Sequence, residues 1–220
     1  MRVPRLTWVQ TSLLAGLCLG VLWSIWNVPP TRLDARLRRD VIVFVALPVA
    51  LALVCERDLG WRVDRRAVRN TLLLSAFVAP FYVAGSTLPT VRAYYPMWAT
   101  DTALAVFLPH ALGQFVVAAA AETYYRGLLC VGLRDIGIKS VFISPVVYAF
   151  HHVHKPPIEL LLSAPTDVLF GAVDYHSESI FPSVVAHGVG LILLDWLVLH
   201  PPVVPTETVV RALSWLPIPL

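Results

Sequence analysis

Charged residues are scarce in this sequence. Only 14% of its 220 residues are Asp, Glu, Lys or Arg, whereas soluble domains carry about a quarter. Because charged side chains build a soluble surface, this deficit excludes a soluble globular enzyme and a disordered chain. The net charge of +3 is too small to indicate a polyanionic partner, so we expect no nucleic-acid binding.

Cysteine and lysine are also rare. The three cysteines are far apart in the sequence, which fits neither a disulfide framework nor a zinc-knuckle spacing. We therefore expect them to pack as small apolar side chains. Nearly all cations are arginines, since only Lys139 and Lys155 are lysines.

Long apolar runs fill most of the chain, and 57% of the residues are hydrophobic. A membrane-spanning helix needs about 20 mostly apolar residues. The first run follows Arg2 and Arg5 and continues without a small-residue cleavage site, which predicts an uncleaved first span. The sequence predicts an all-α, polytopic transmembrane helix bundle of about seven spans (six to eight), forming one integral membrane domain over residues 1–220. The predicted spans are Leu6–Trp26, Val41–Cys55, Leu72–Leu88, Thr102–Leu133, Ser140–His154, Ile158–Val173 and Ile180–His200.

Ionisable residues inside three of these runs carry the functional signal, because each costs several kcal/mol within a membrane. Glu122 and Arg126 are four residues apart, so they share a helix face and can pair. A histidine cluster at 151–154 places one imidazole inward, and His187 lies in a later, almost fully apolar run. Such groups satisfy one another only if their helices converge, which predicts a buried acid/base site that activates water.

Three motifs carry a family resemblance. Ala121-Glu122-Thr-Tyr-Tyr-Arg126-Gly127 resembles a Glu-Glu-x-x-x-Arg motif, and Tyr148 with His152 resembles Phe-x-x-x-His. The run from Phe170-Gly171 through Pro182-Ser to His187 resembles the approach to a third motif, His-x-x-x-Asn/Asp. Together they resemble the CPBP family of intramembrane glutamic endopeptidases, which includes type II CAAX prenyl proteases and bacteriocin-processing (ABI) members.

The chain departs from the family pattern at two motif positions. Ala121 occupies the place of the first glutamate, and Leu191 occupies the place of the Asn or Asp after the last histidine. Asp195, eight residues after His187, lies about 80° off its face and can support the site but hardly replace Leu191.

The resemblance implies an intramembrane endopeptidase that hydrolyses a peptide bond in a membrane-anchored or hydrophobic substrate. Its protease-like core would be residues 101–200, with spans of unknown role in 1–100. Glu122 would activate water, His152 and His187 would position it or stabilise the oxyanion, and Arg126 would orient Glu122. The resemblance implies a multi-pass protein of a prokaryotic plasma (inner) membrane, with the lipid bilayer as a partner and no cofactor.

Other interpretations stay open from the residues alone. One glutamate and two histidines also form a facial ligand set for zinc. Glu122, His152 and His187 could therefore belong to a metal-dependent version of the same hydrolase. The apolar Ala121 and Leu191 favour an inactive membrane scaffold, and a proton-relay transporter is a third class.

Two further polar residues have structural interpretations. His110 has no evident partner. Asp167 either caps a helix that restarts after Pro165 or accepts a hydrogen bond from a site histidine.

Overall fold

The computed structural model describes residues 6–220, so Arg2 and Arg5 lie outside the described residues. The described chain contains ten α-helices and no strand, which confirms the predicted all-α fold. The helices are α1 Trp8–Ile25, α2 Leu33–Val41, α3 Leu47–Val54, α4 Arg65–Gly85, α5 Pro89–Tyr94, α6 Leu104–Glu122, α7 Ser144–His151, α8 Pro157–Ser177, α9 Phe181–Val198 and α10 Thr206–Leu213. A π-helical turn, Ile42–Ala46, joins α2 to α3, a second one, Thr123–Leu128, extends α6, and a 3-10 segment spans Val131–Phe142.

Four helical segments are long and apolar enough to cross a membrane: Trp8–Ile25, Arg65–Gly85, Leu104–Leu128 and Phe181–Val198. All seven predicted spans contain helix, although α7 has only eight residues and α8 carries three carboxylates. Many large apolar side chains face outward from the bundle, such as Leu17, Leu72 and Leu112. An apolar exterior of this kind is typical of a surface in contact with lipid.

Local signals begin the first long helices. Thr7 and Gln10 form a capping box, in which each side chain accepts a hydrogen bond from the other's backbone N–H. Asp64 caps α4 by accepting from Ala67 N at 2.8 Å. In contrast, Pro165 lies inside the unbroken α8, so no helix restarts after it.

Helix α9 lies at the centre of the bundle and packs against α4, α6 and α8. Two of its glycines permit close approach. A Cβ on Gly190 would lie 2.2 Å from ring atoms of Tyr82 on α4, and a Cβ on Gly188 would lie 2.6 Å from the ring of Phe115 on α6. These contacts place His187, one residue before Gly188, against the end of α6 that carries Glu122.

Candidate active site

Glu122 and Arg126 form the predicted pair at the end of α6. Both side chains are fully buried, and Arg126 Nε lies 3.2 Å from Glu122 Oε2. Glu122 ends the regular helix, and Arg126 lies in the π-helical turn that follows. Both atoms lack a well-directed hydrogen bond within the described chain, so the contact is electrostatic. π-helical turns within α-helices are frequent at functional sites.

Asp167 is the second carboxylate on Arg126. Arg126 donates from a terminal nitrogen to Asp167 Oδ1, and Ser144 Oγ donates to Asp167 Oδ2 at 2.5 Å. Both interpretations of Asp167 from the sequence were wrong, since it neither caps a helix nor accepts from a histidine. It lies inside α8 and shares the guanidinium with Glu122, so one arginine joins α6, α7 and α8.

His187 contacts Glu122 directly. Its Nδ1 lies 2.6 Å from Glu122 Oε1, and because a carboxylate only accepts, Nδ1 is the protonated ring nitrogen. The other nitrogen, Nε2, makes no hydrogen bond to residues 6–220, and the side chain is 14% exposed. His187 therefore presents a free acceptor beside the carboxylate.

His152 is connected to this network through Tyr148. Its Nδ1 donates to the Tyr148 carbonyl at 2.8 Å, and its ring lies against the Tyr148 ring with centroids 4.1 Å apart. The same tyrosine ring lies 5.2 Å from the Arg126 guanidinium carbon. The structure thus joins Glu122, Arg126 and His187 directly. Within the described residues it shows no hydrogen bond between His152 and either Glu122 or His187.

Two neighbours of His152 have separate environments. The His151 Nδ1 shares a hydrogen bond with the Tyr125 hydroxyl. The centroid of the His151 ring lies 4.6 Å from the centroid of the Trp23 ring. His154 is exposed. Two of the three clustered histidines are therefore engaged inside the bundle, where the sequence predicted one.

At the two positions that depart from the motif pattern, the side chain packs against apolar residues. Ala121 packs against a cluster that includes Phe44 and Tyr148. Leu191 is 9% exposed and belongs to a cluster that includes Leu88 and Ala118.

A second buried polar group lies farther along the same two helices. His110 Nε2 and Gln114 Nε2 of α6 each lie 2.6 Å from Asp195 Oδ2 of α9. The prediction that His110 has no partner was therefore wrong. Asp195 follows His187 by eight residues and Gln114 precedes Glu122 by eight, a rise of about 12 Å in each helix. Once the contact of His187 with Glu122 is known, these matching intervals predict that Asp195 lies beside Gln114.

The described part of the chain contains no preformed cluster of metal ligands. No group of three or more His, Cys, Asp or Glu side chains in residues 6–220 is arranged to hold an ion. The free Nε2 atoms of His152 and His187 are the groups that could contribute to such a site.

Residues 103–190 match a family model described as Type II CAAX prenyl endopeptidase Rce1-like. The matched range contains all four predicted site residues, and the match supports the CPBP/CAAX protease-like family indicated by the motifs. No curated protein and no solved structure matches the chain. At the level of the family, the match supports a CAAX-type intramembrane protease, and with the four long apolar helices it supports an integral membrane protein.

Proposed function

We propose, on the premise of this CAAX protease-like match, that the protein is an intramembrane endopeptidase of a prokaryotic plasma membrane. It would hydrolyse a peptide bond in a membrane-associated protein or peptide, with Glu122 activating water. The observation that carries the proposal is the direct contact of Glu122 Oε1 with His187 Nδ1 at 2.6 Å. It gives a buried carboxylate that is held in position and connected to a partly exposed imidazole.

The two oxygens of Glu122 have different surroundings. Oε1 holds His187, whereas Oε2 lies 3.2 Å from Arg126 Nε without a directed hydrogen bond. The Arg126 guanidinium in turn contacts both Glu122 and Asp167. In the proposed reaction, Oε2 is the oxygen that accepts a proton from water.

The remaining steps follow from the free nitrogens of the imidazoles. The hydroxide formed at Glu122 attacks the carbonyl carbon of the scissile bond. Before this attack, the free acceptor Nε2 of His187 or His152 positions the water by accepting a hydrogen bond from it. The C–N bond then breaks as the proton on Glu122 passes to the leaving amine, which regenerates the carboxylate.

The test is cleavage by purified protein reconstituted in liposomes. The probes are fluorogenic hydrophobic peptides, including a farnesylated peptide that ends in a Cys-aliphatic-aliphatic-X sequence. We expect cleavage by the wild type and loss of cleavage in Glu122→Gln, which keeps the size of the side chain. Asp135→Asn is the matched control, because it removes one carboxylate from an exposed ion pair with Arg57. Absence of wild-type cleavage on every probe overturns the proposal, and full activity of Glu122→Gln removes Glu122 from the mechanism.

An inactive scaffold is the second candidate, and the apolar packing of Ala121 and Leu191 favours it. It predicts that wild type and a Glu122→Gln/His187→Gln double variant rescue a deletion phenotype equally. The endopeptidase proposal predicts that only the wild type rescues.

The proposed mechanism needs no metal ion, and the zinc-dependent version remains its alternative. Metal analysis of the purified protein, together with cleavage before and after chelation, distinguishes them. A stoichiometric metal and chelator-sensitive cleavage would contradict the metal-free mechanism.

A further inference from the structure

Tyr82 brings a free hydroxyl from α4 to the surface of α9. Gly190 permits this approach, since a Cβ there would lie 2.2 Å from ring atoms of Tyr82 and 2.6 Å from its Oη. The hydroxyl makes no hydrogen bond to residues 6–220, and the side chain is only partly buried. By contrast, the hydroxyls of Tyr95, Tyr124 and Tyr125 each have a hydrogen-bond partner. Tyr82 therefore carries a donor that the fold itself does not use.

This hydroxyl lies close to the candidate active site. Gly190 follows His187 by three residues, and side chains at this interval on a helix have Cβ atoms about 5 to 6 Å apart. The distance from Tyr82 Oη to the His187 Cβ is therefore at most about 9 Å. Glu122 is the carboxylate whose charge acts most strongly on the Tyr82 hydroxyl. A bound peptide segment of about three residues is long enough to contact both Tyr82 and His187.

The proposed reaction needs a hydrogen-bond donor as well as acceptors. Glu122 Oε2 and the Nε2 atoms of His187 and His152 all accept, because the Nδ1 atom of each imidazole carries the proton. Leu191, which follows Gly190, is apolar. The negative oxygen of a tetrahedral intermediate requires a donor directed at it, and removal of one such donor typically lowers kcat by about 100- to 1000-fold.

Arg126 and Tyr148 also carry donors in this region, but both are more deeply buried than Tyr82. Arg126 is fully buried, and the ring centroids of Tyr148 and Phe170 lie 5.2 and 5.7 Å from its guanidinium carbon. Tyr148 is 7% exposed, and the His152 ring lies against it. Tyr82 is therefore the donor that is most open to a substrate.

We propose that Tyr82 is a catalytic residue that donates a hydrogen bond to the oxyanion, an inference that rests on the proposed endopeptidase function. When the hydroxide oxygen bonds to the carbonyl carbon, the π-electron pair moves onto the carbonyl oxygen, which accepts from Tyr82 Oη–H. The phenol keeps its proton throughout. When the C–N bond breaks, the carbonyl double bond forms again. Helix α4, which precedes the matched range 103–190, thus supplies a residue to the site.

The experiment uses Tyr82→Phe, which keeps the ring against Gly190 and removes only the hydroxyl. In the liposome assay we expect kcat to fall about 100-fold with KM unchanged, because the donor acts on the intermediate and not on the bound peptide. Affinity for a phosphinic peptide, which mimics the tetrahedral intermediate, should fall by a similar factor. Affinity for a peptide N-methylated at the scissile bond, which mimics the bound substrate, should not change.

Tyr175→Phe is the matched control, because it removes the same hydroxyl from a tyrosine whose ring contacts Arg134. It should keep the wild-type kcat and both affinities. A similar unfolding temperature for Tyr82→Phe and the wild type shows that the fold is kept. Equal losses of affinity for the phosphinic and the N-methylated peptide would indicate a structural role for Tyr82 and overturn the inference.

The other outcomes separate this inference from the function on which it rests. Wild-type kcat in Tyr82→Phe, together with loss of cleavage in Glu122→Gln, overturns the role of Tyr82 and leaves the endopeptidase intact. A loss of kcat in Tyr148→Phe but not in Tyr82→Phe does the same, because the donor is then the other tyrosine. Absence of wild-type cleavage on every probe overturns both proposals.

Discussion

His187 and Glu122 are 65 residues apart in the sequence, yet the imidazole Nδ1 lies 2.6 Å from the carboxylate Oε1. The contact joins α9 to the end of α6, in a bundle interior where Glu122 is fully buried. A carboxylate and an imidazole in direct contact act as a unit, so removal of either changes the protonation and orientation of the other.

The first prediction is non-additivity in this pair. Glu122→Gln and His187→Gln should each lower kcat/KM by about 100-fold or more, in the range typical of general acid–base groups. The double variant should be little worse than either single variant, because the two side chains act together. A double-mutant cycle on the fluorogenic peptide measures the coupling, and losses that multiply would contradict a shared role.

The second prediction concerns the charge balance around Arg126. Asp167→Ala leaves Arg126 with Glu122 as its only carboxylate partner among residues 6–220 and removes the acceptor of Ser144. We expect a loss of about 3 to 5 kcal/mol in the free energy of unfolding, because breaking a buried ion pair leaves a charge uncompensated. Asp135→Ala breaks the half-exposed pair with Arg57 and should cost less than about 1 kcal/mol. Denaturant titrations in mixed micelles give both values, and similar losses in the two variants would contradict this account of Arg126.

The third prediction concerns the approach of α4 to α9. In Gly190→Ala the new methyl group would overlap the Tyr82 ring, with 2.2 Å between them. We expect a destabilisation of about 1 to 3 kcal/mol from overpacking. Gly85→Ala is the matched control, since a Cβ there meets nothing within 4 Å. A Gly190→Ala variant as stable as Gly85→Ala would show that α4 and α9 do not pack this closely.

The amino-acid sequence was sufficient for the features that depend on local order. Low charge and long apolar runs predicted an all-α membrane bundle, and the interval of four between Glu122 and Arg126 predicted their pairing, because helical periodicity brings such residues to one face. The three spaced motifs indicated the family that the match at 103–190 supports.

The packing of distant helices determines which buried groups satisfy one another. Asp167 binds Arg126 rather than capping a helix, and Asp195 binds His110 and Gln114 rather than supporting His187. The partners of a buried carboxylate depend on the rotation and depth at which two distant helices pack. Close contacts such as that of Gly190 with Tyr82 set these two quantities, and the period of a single helix contains no information about them.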